Sequence, residues 1–148
     1  MLNDVLSQHY EQVLVKLKKE VEQYTDDAAM WKTSGEIPNS GGNLTLHLIG
    51  NLKHFFGAVL GGTDFVRDRD TEFTTKNVSR EELLRQIDAT IPVVVETIKK
   101  LNAEDLEKIY PIEVFGHPMT TEYFYTYLVG HTYYHLGQIN YHRRLLGS

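Results

Sequence analysis

The sequence predicts an all-α protein, a four-helix bundle, on three observations. Apolar residues recur by threes and fours through four long segments, which is the spacing of one buried helix face. No convincing run of residues reads as strands. The breaks at 38–42, 63–77 and 102–120 fall between those segments. Four amphipathic helices bury their stripes against one another as a bundle. At 148 residues the chain has the length of one domain, 1–148. A domain of that size buries roughly 70% of its unfolded surface without needing staples.

The first helix runs from about Asp4 to Tyr24. Leu6, Tyr10, Val13, Leu17, Val21 and Tyr24 form its stripe, and Lys16, Lys18, Lys19, Glu20 and Glu22 fall on the solvated side. After Pro38-Asn39-Ser40-Gly41-Gly42 the second helix starts near Asn43 and ends near Gly61-Gly62. Leu44, Leu48, Phe55 and Val59 are its core edge, with His47, Asn51 and His54 beside them. The connection 63–77 is longer than most helix–helix links. Its readings are a solvated loop and a cover over one end of the bundle.

The third helix opens on a capping box, Ser79 with Glu82, and a staple of Val78 with Leu83. Leu84, Ile87, Ile91, Val94, Ile98 and Leu101 follow as its stripe. Pro92 lies inside it and removes the donor to the carbonyl of Asp88, so a kink is expected there. Between 112 and 119 a short extended piece is expected. The fourth helix begins at Thr120 or Thr121. Its seam is Phe124, Leu128, His131, His135, Gln138, His142 and Leu145, and the middle of that seam is polar.

Composition narrows the function. Fifteen Lys and Arg against 20 Asp and Glu give a net charge of -5, which argues against a nucleic-acid-coating protein. There is no cysteine, so disulfides, thiolate metal sites and Cys nucleophiles are excluded. The N-terminus lacks the basic and apolar regions of a signal peptide. The stretch 123–141 carries no Asp, Glu, Lys or Arg, yet its two His, Gln, Asn and several Tyr suit a helix buried in protein better than one in lipid. A cytoplasmic protein with no membrane and no nucleic-acid partner is the expectation.

The chemistry is carried by His131-Thr132-Tyr133-Tyr134-His135. Residues four apart on a helix share a face, about 5–6 Å apart at Cβ, so two imidazoles there can converge on one ion. The Glu of the His-Glu-x-x-His proteases is missing, and with it their general base. Two interior histidines that merely share a hydrogen bond are the competing reading. Burying both on an apolar seam without shared partners is costly, which favours a ligand role. A third ligand would come from His47 or His54, two turns and about 10.5 Å apart, so one ion does not take both. His47 lies within the apolar Leu44-Thr45-Leu46-His47-Leu48 and is preferred. His142 reads as a helix-end histidine, and His9 and His117 as surface residues. Asn51, four beyond His47, and Gln138, three beyond His135, are placed to orient a bound group. Arg67 and Arg69 either pair with Asp68, Asp70 or Glu72 or meet a substrate carboxylate at the site mouth.

The run His131-x-x-x-His135-Leu136-Gly137-Gln138-Ile139, the earlier Leu46-His47-Leu48-Ile49-Gly50-Asn51-Leu52, and the loop Arg67-Asp68-Arg69-Asp70-Thr71-Glu72-Phe73 together resemble the DinB-like (DinB/YfiT) superfamily. They look most like the small bacterial branch that includes YizA. The resemblance spans nearly the whole chain. It implies a four-helix bundle, with a long connection between helices two and three, that holds a divalent metal on three histidines, here His47, His131 and His135. It also implies a homodimer; relatives with known activity include thiol transferases and a thiol-dependent isomerase, and the branch itself brings no activity of its own. Three imidazoles suit zinc, nickel or another late transition ion, and leave an open position for water or substrate. The expectation is therefore a metal-dependent enzyme acting on a small molecule. Either it is a transferase using a low-molecular-weight thiol, supplied from outside because the chain has no Cys, or it is a hydrolase. Its catalytic polar residues would be Gln138 and Asn51. The alternative is a non-catalytic metal-binding or stress-related dimeric bundle.

Overall fold

The computed structural model describes residues 1–147; Ser148, the last residue of the expected domain, lies outside them. Six α-helices follow in order: α1 Leu2–Glu22, α2 Gly41–Leu52, α3 Arg69–Thr74, α4 Arg80–Lys99, α5 Ala103–Glu107 and α6 Thr121–Leu146. The long helices α1, α2, α4 and α6 make the bundle, with α1 packed on α4 and α6, and α2 on α4 and α6. Among the described residues there is no strand, only isolated bridges at Ser34–Ile37 and Ile109–Thr120. No strand or bridge falls within 112–119, the place of the expected short extended piece; the Ile109–Thr120 bridge instead closes the two ends of that loop.

The α1 stripe is buried at every expected position, because one uninterrupted 3.6-residue repeat faces one core. The core continues through aromatic rings: Tyr10 meets Phe56 edge-on at 4.9 Å, and Phe56 stacks on Tyr125 at 3.9 Å. Tyr10 donates to the carbonyl of Tyr125 at 2.5 Å, so the buried hydroxyl is satisfied.

Helix α2 starts at its cap, Ser40, whose hydroxyl accepts from the amide of Asn43. After Leu52 the chain widens into a π-helical turn, Lys53–Ala58, in place of the regular helix expected to Gly61-Gly62. The extra residue per turn shifts the buried face, so Phe55 and Phe56 are both inside and Val59 only partly so. The hydroxyls of Tyr110 and Tyr125 both donate to the carbonyl of Phe55 and anchor this turn.

In α4 Ile87, Val94 and Ile98 of the expected stripe are buried, joined by Leu83, Thr90 and Val95, while Leu84, Ile91 and Leu101 are only partly buried and flank them. Ser79 caps the amide of Glu82, but the Glu82 carboxylate turns to Arg85 and Gln86, so half of the expected box forms. A full capping box joins Asn102 and Asp105 at α5. The helix continues through Pro92 to Lys99.

The fourth-helix seam also needs correction. An α-helix drifts about 20° per heptad from a 3.5-residue repeat, so a strict seam walks off the core over three heptads. Phe124 and Leu128 are buried, whereas Leu145 is 65% exposed. His142 of the seam is also buried, but Thr132, Leu136 and Ile139 take the core side between, and His131, His135 and Gln138 turn to the flank. Among the described residues no helix is long and apolar enough to cross a membrane.

Candidate metal centre

His47 projects from the middle of α2, and His131 and His135 from the middle of α6. The three meet where those helices pack. Nε2 of His131 lies 3.4 Å from Nε2 of His47 and 3.1 Å from Nε2 of His135. One ligand atom from each of the three histidines falls within 4.8 Å of the others. Three nitrogens at about 2.0–2.1 Å from a tetrahedral ion would stand about 3.3–3.4 Å apart, so the spacing fits a late transition ion.

The far nitrogens set the tautomers. Nδ1 of His47 pairs with Oε1 of Glu72 at 3.0 Å, and Nδ1 of His135 with Oε1 of Gln138 at 2.7 Å. Each carboxylate or amide oxygen accepts a hydrogen bond from Nδ1–H, which keeps the proton on Nδ1 and leaves the Nε2 lone pair pointing at the centre, the arrangement that orients metal-binding imidazoles. Nδ1 of His131 is buried without a partner. Burial, reinforced by His135, His47, Arg67 and Arg69, pushes the His131 imidazole down to about 4. Burial also lowers His135, against the opposing hydrogen bond it donates to Gln138. His131 is therefore neutral at neutral pH, the form that binds an ion.

Glu72 is the residue that sequence reasoning missed as a partner of His47. It lies in α3, inside the long connection, and is 6% exposed. Burial alone would raise its carboxyl, but hydrogen bonds from His47 and Arg67 outweigh that and hold it below the usual range. Arg67 grips it with two donors, Nε to Oε2 at 2.9 Å and Nη2 to Oε1 at 3.0 Å. Two devices bring Glu72 here. Asn43 of α2 donates its amide to the carbonyls of Glu72 and Thr75, tying α3 to α2. Gly50, one turn after His47 on its neighbouring face, leaves the gap for the carboxylate: a Cβ there would fall 1.9 Å from Oε2. So the connection covers the site, and Arg67 serves to pin it.

The other expected positions are equally definite. Asn51 is 5% exposed and lines the cleft beside His47, with no partner for its Oδ1. Gln138 also lines the cleft, but its amide is engaged with His135 and with the Tyr134 hydroxyl. His54 stands outside the cluster with its ring against Phe55, so the structure brings together the set that contains His47. His142 is a core residue: Nδ1 meets the Tyr24 hydroxyl and Nε2 donates to the carbonyl of Lys32, both at 2.8 Å. His9 and His117 are exposed. Beside the three Nε2 atoms opens a cleft of about 640 Å³ walled by Phe55, Phe73, Phe115, Phe124 and Tyr127.

The chain has a DinB-like helical fold with a three-histidine cluster that could hold a metal ion. Over residues 2–148 the chain matches the family described as "Protein of unknown function (DUF1572)", and it belongs to that family. A DinB-like protein from Bacillus cereus has a similar structure, with a TM-score of 0.73 and 19% identity over 97% of this chain and 90% of that one. A conserved protein from Enterococcus faecalis is similar too, with a TM-score of 0.77 and 13% identity over 97% of this chain and 95% of that one. No curated protein matches. At these identities the likeness is one of fold.

Proposed function

We propose that this protein is a metal-dependent enzyme that holds a divalent ion, zinc or nickel, on His47, His131 and His135 and acts on a small molecule in the adjoining cleft. The observation that carries this reading is the convergence of three Nε2 atoms beside an open, aromatic-walled cleft. An ion that only tied α2 to α6 would need no such opening. When bound, the ion supplies Lewis acidity that makes a coordinated water or thiol more acidic. The chain's own residues do the rest. Glu72 and Gln138 fix the imidazoles, Asn51 orients the bound group, and the phenyl walls exclude water. No carboxylate faces the cleft among its lining residues to act as a general base. That favours a transferase using an external low-molecular-weight thiol over a hydrolase that depends on such a base.

The test is a screen of untagged, zinc- or nickel-loaded protein for thiol conjugation and ester hydrolysis, repeated after chelation. Turnover that vanishes with the metal and returns on reloading is the expected result. Activity that survives complete demetallation in folded protein would overturn it. Metal binding with no turnover on either class would leave the non-catalytic metal-binding bundle as the better reading.

We also propose that the chain pairs with a second copy. Tyr123, Tyr127, Tyr134, Tyr141 and Leu145 form one exposed face of α6, interrupted by Gly130 and Gly137, above which nothing lies within 4 Å. An exposed apolar face that long is unusual on a monomer. In an antiparallel pair of α6 helices Tyr127 falls opposite Gly137, Tyr134 opposite Gly130, and Tyr123 opposite Tyr141. Sedimentation should show a dimer at tens of micromolar that Tyr134→Glu dissociates; a wild-type monomer at that concentration would contradict it.

A further inference from the structure

The exposed face of α6 is arranged like one half of a symmetric contact. Tyr123 and Tyr141 lie equally far from Thr132 on either side, as do Tyr127 and Gly137, and Gly130 and Tyr134. At 3.6 residues per turn all six point within about 40° of one line along the helix. A face that reads the same from both ends meets itself under a two-fold axis, which is what an isologous dimer requires. The four tyrosines are exposed, as is Leu145. Against a second copy they would cover roughly 1,000 Å² in all, about the least that a specific interface needs. The same face borders the metal centre. A hollow of about 520 Å³ opens on it, lined by Thr126, Tyr127, Gly130, His131, Tyr134 and His135. Tyr127, His131, Tyr134 and His135 line the cleft as well, so the cleft and the hollow lie on two sides of the same histidines. Glycine weakens a helix interior. Its own chain gives no reason for one at 130, where a Cβ would meet nothing within 4 Å. A side chain arriving from outside gives one.

We propose that a second copy completes the metal centre: the partner's Tyr134 seats over Gly130 and closes the outer side of His131 and His135. Paired helices set a side chain of one into a hole between four residues of the other. In the antiparallel pair the hole that faces Tyr134 of one copy is made by Tyr127, Gly130, His131 and Tyr134 of the other, four of the six residues that line the hollow. The missing side chain at Gly130 gives the phenol ring its depth. By the two-fold, each copy closes the site of the other, and both clefts open on one side of the helix pair. A ligand then enters by the cleft, past Phe73 and Phe115, and the histidine edges turned to the outer face are shielded from water. This rests on the pairing and the metal site proposed above and adds what the partner does there.

The experiment mixes unlabelled, cobalt-loaded wild-type protein with metal-free His47→Ala protein carrying fluorotyrosine, its Tyr134 signal assigned with Tyr134→Phe. His47 lies on α2, away from the paired face, so its loss leaves the pairing intact. Cobalt on the wild-type copy should shift or broaden the Tyr134 fluorine signal of the labelled copy. Zinc in its place should not, and the signal of Tyr10, in the core of its own copy, should stay put with either ion. Because the chain has no cysteine, cross-linking gives a second reading. A mixture of Gly130→Cys and Tyr134→Cys proteins should form the mixed disulfide. Neither protein alone should cross-link, because like positions are offset by about 6 Å along the axis on top of the gap between the helices. A Tyr134 signal that cobalt leaves unmoved in a sedimenting dimer, or disulfides that form equally well in either protein alone, would overturn the inference. The readings fail separately. A monomer by sedimentation sinks the pairing and this inference with it. A dimer with an unmoved signal sinks only this one. No uptake of cobalt by wild type sinks the metal site and the claim that a metal centre is closed, while the mixed disulfide still reads the seat of Tyr134.

Discussion

Replacing His131 by Ala should lower affinity for zinc or nickel at least about 100-fold, with His47→Ala and His135→Ala close behind. His131 has the largest effect because its Nε2 is the near neighbour of both other Nε2 atoms, so its loss leaves the two remaining donors on different helices without the atom between them. Removing a group that merely orients a ligand costs about 10–100-fold, and removing the ligand itself costs more. The metal-free variants should stay folded, because a neutral imidazole with an unpartnered Nδ1 is leaving the interior rather than a satisfied core group. His9→Ala and His117→Ala, on the surface, should bind metal as wild type does. The measurement is competition titration against a chromophoric chelator, with circular dichroism on each apo variant. If His54→Ala abolished binding while His47→Ala did not, the assignment of the third ligand would be wrong.

Glu72→Ala should weaken metal binding about 10–100-fold, the usual cost of losing a carboxylate behind a ligating imidazole. It frees Nδ1 of His47 and strands the half-buried Arg67 beside it. Gly50→Ala should act in the same direction through geometry alone, since its Cβ would occupy the place of Oε2 and push the carboxylate away from His47. Glu72→Gln keeps an oxygen for His47 but loses the charge that holds Arg67, and should fall between wild type and Glu72→Ala. The same titration reads all three variants. Unchanged affinity in both Glu72→Ala and Gly50→Ala would show that the α3 cover plays no part in the site.

How much of this was legible in the sequence follows from how far each feature depends on distant chain. The four long helices were legible because each carries its own 3.6-residue repeat. His131 and His135 were legible because a four-residue step on a helix fixes their shared face whatever packs against it. His47 was preferred over His54 from its apolar setting and from the family resemblance, and the structure groups it with the other two. Glu72 was legible only as a partner for a neighbouring Arg. Its approach to His47, 25 residues away, depends on the Asn43 latch and the gap at Gly50, neither of which has a local signature. The π-helical turn at Lys53 is likewise held by Tyr110 and Tyr125, 55 and 70 residues along the chain from the carbonyl of Phe55. His142 reads as a helix-end residue until Tyr24 and Lys32 are seen to enclose it. The heptad reading of α6 held at Phe124, Leu128 and His142 and failed at Gln138 and Leu145, because a straight α-helix drifts from a strict seven-residue repeat.

X-ray absorption on the zinc-loaded wild-type protein tests the three-histidine centre most directly. The expected spectrum has three imidazole nitrogens at about 2.0–2.1 Å, with their outer-ring scattering, and one further light atom. Loss of one imidazole shell in His47→Ala would complete the assignment. A first shell dominated by carboxylate or water oxygen, with fewer than two imidazoles, or an unchanged spectrum in His47→Ala, would contradict it.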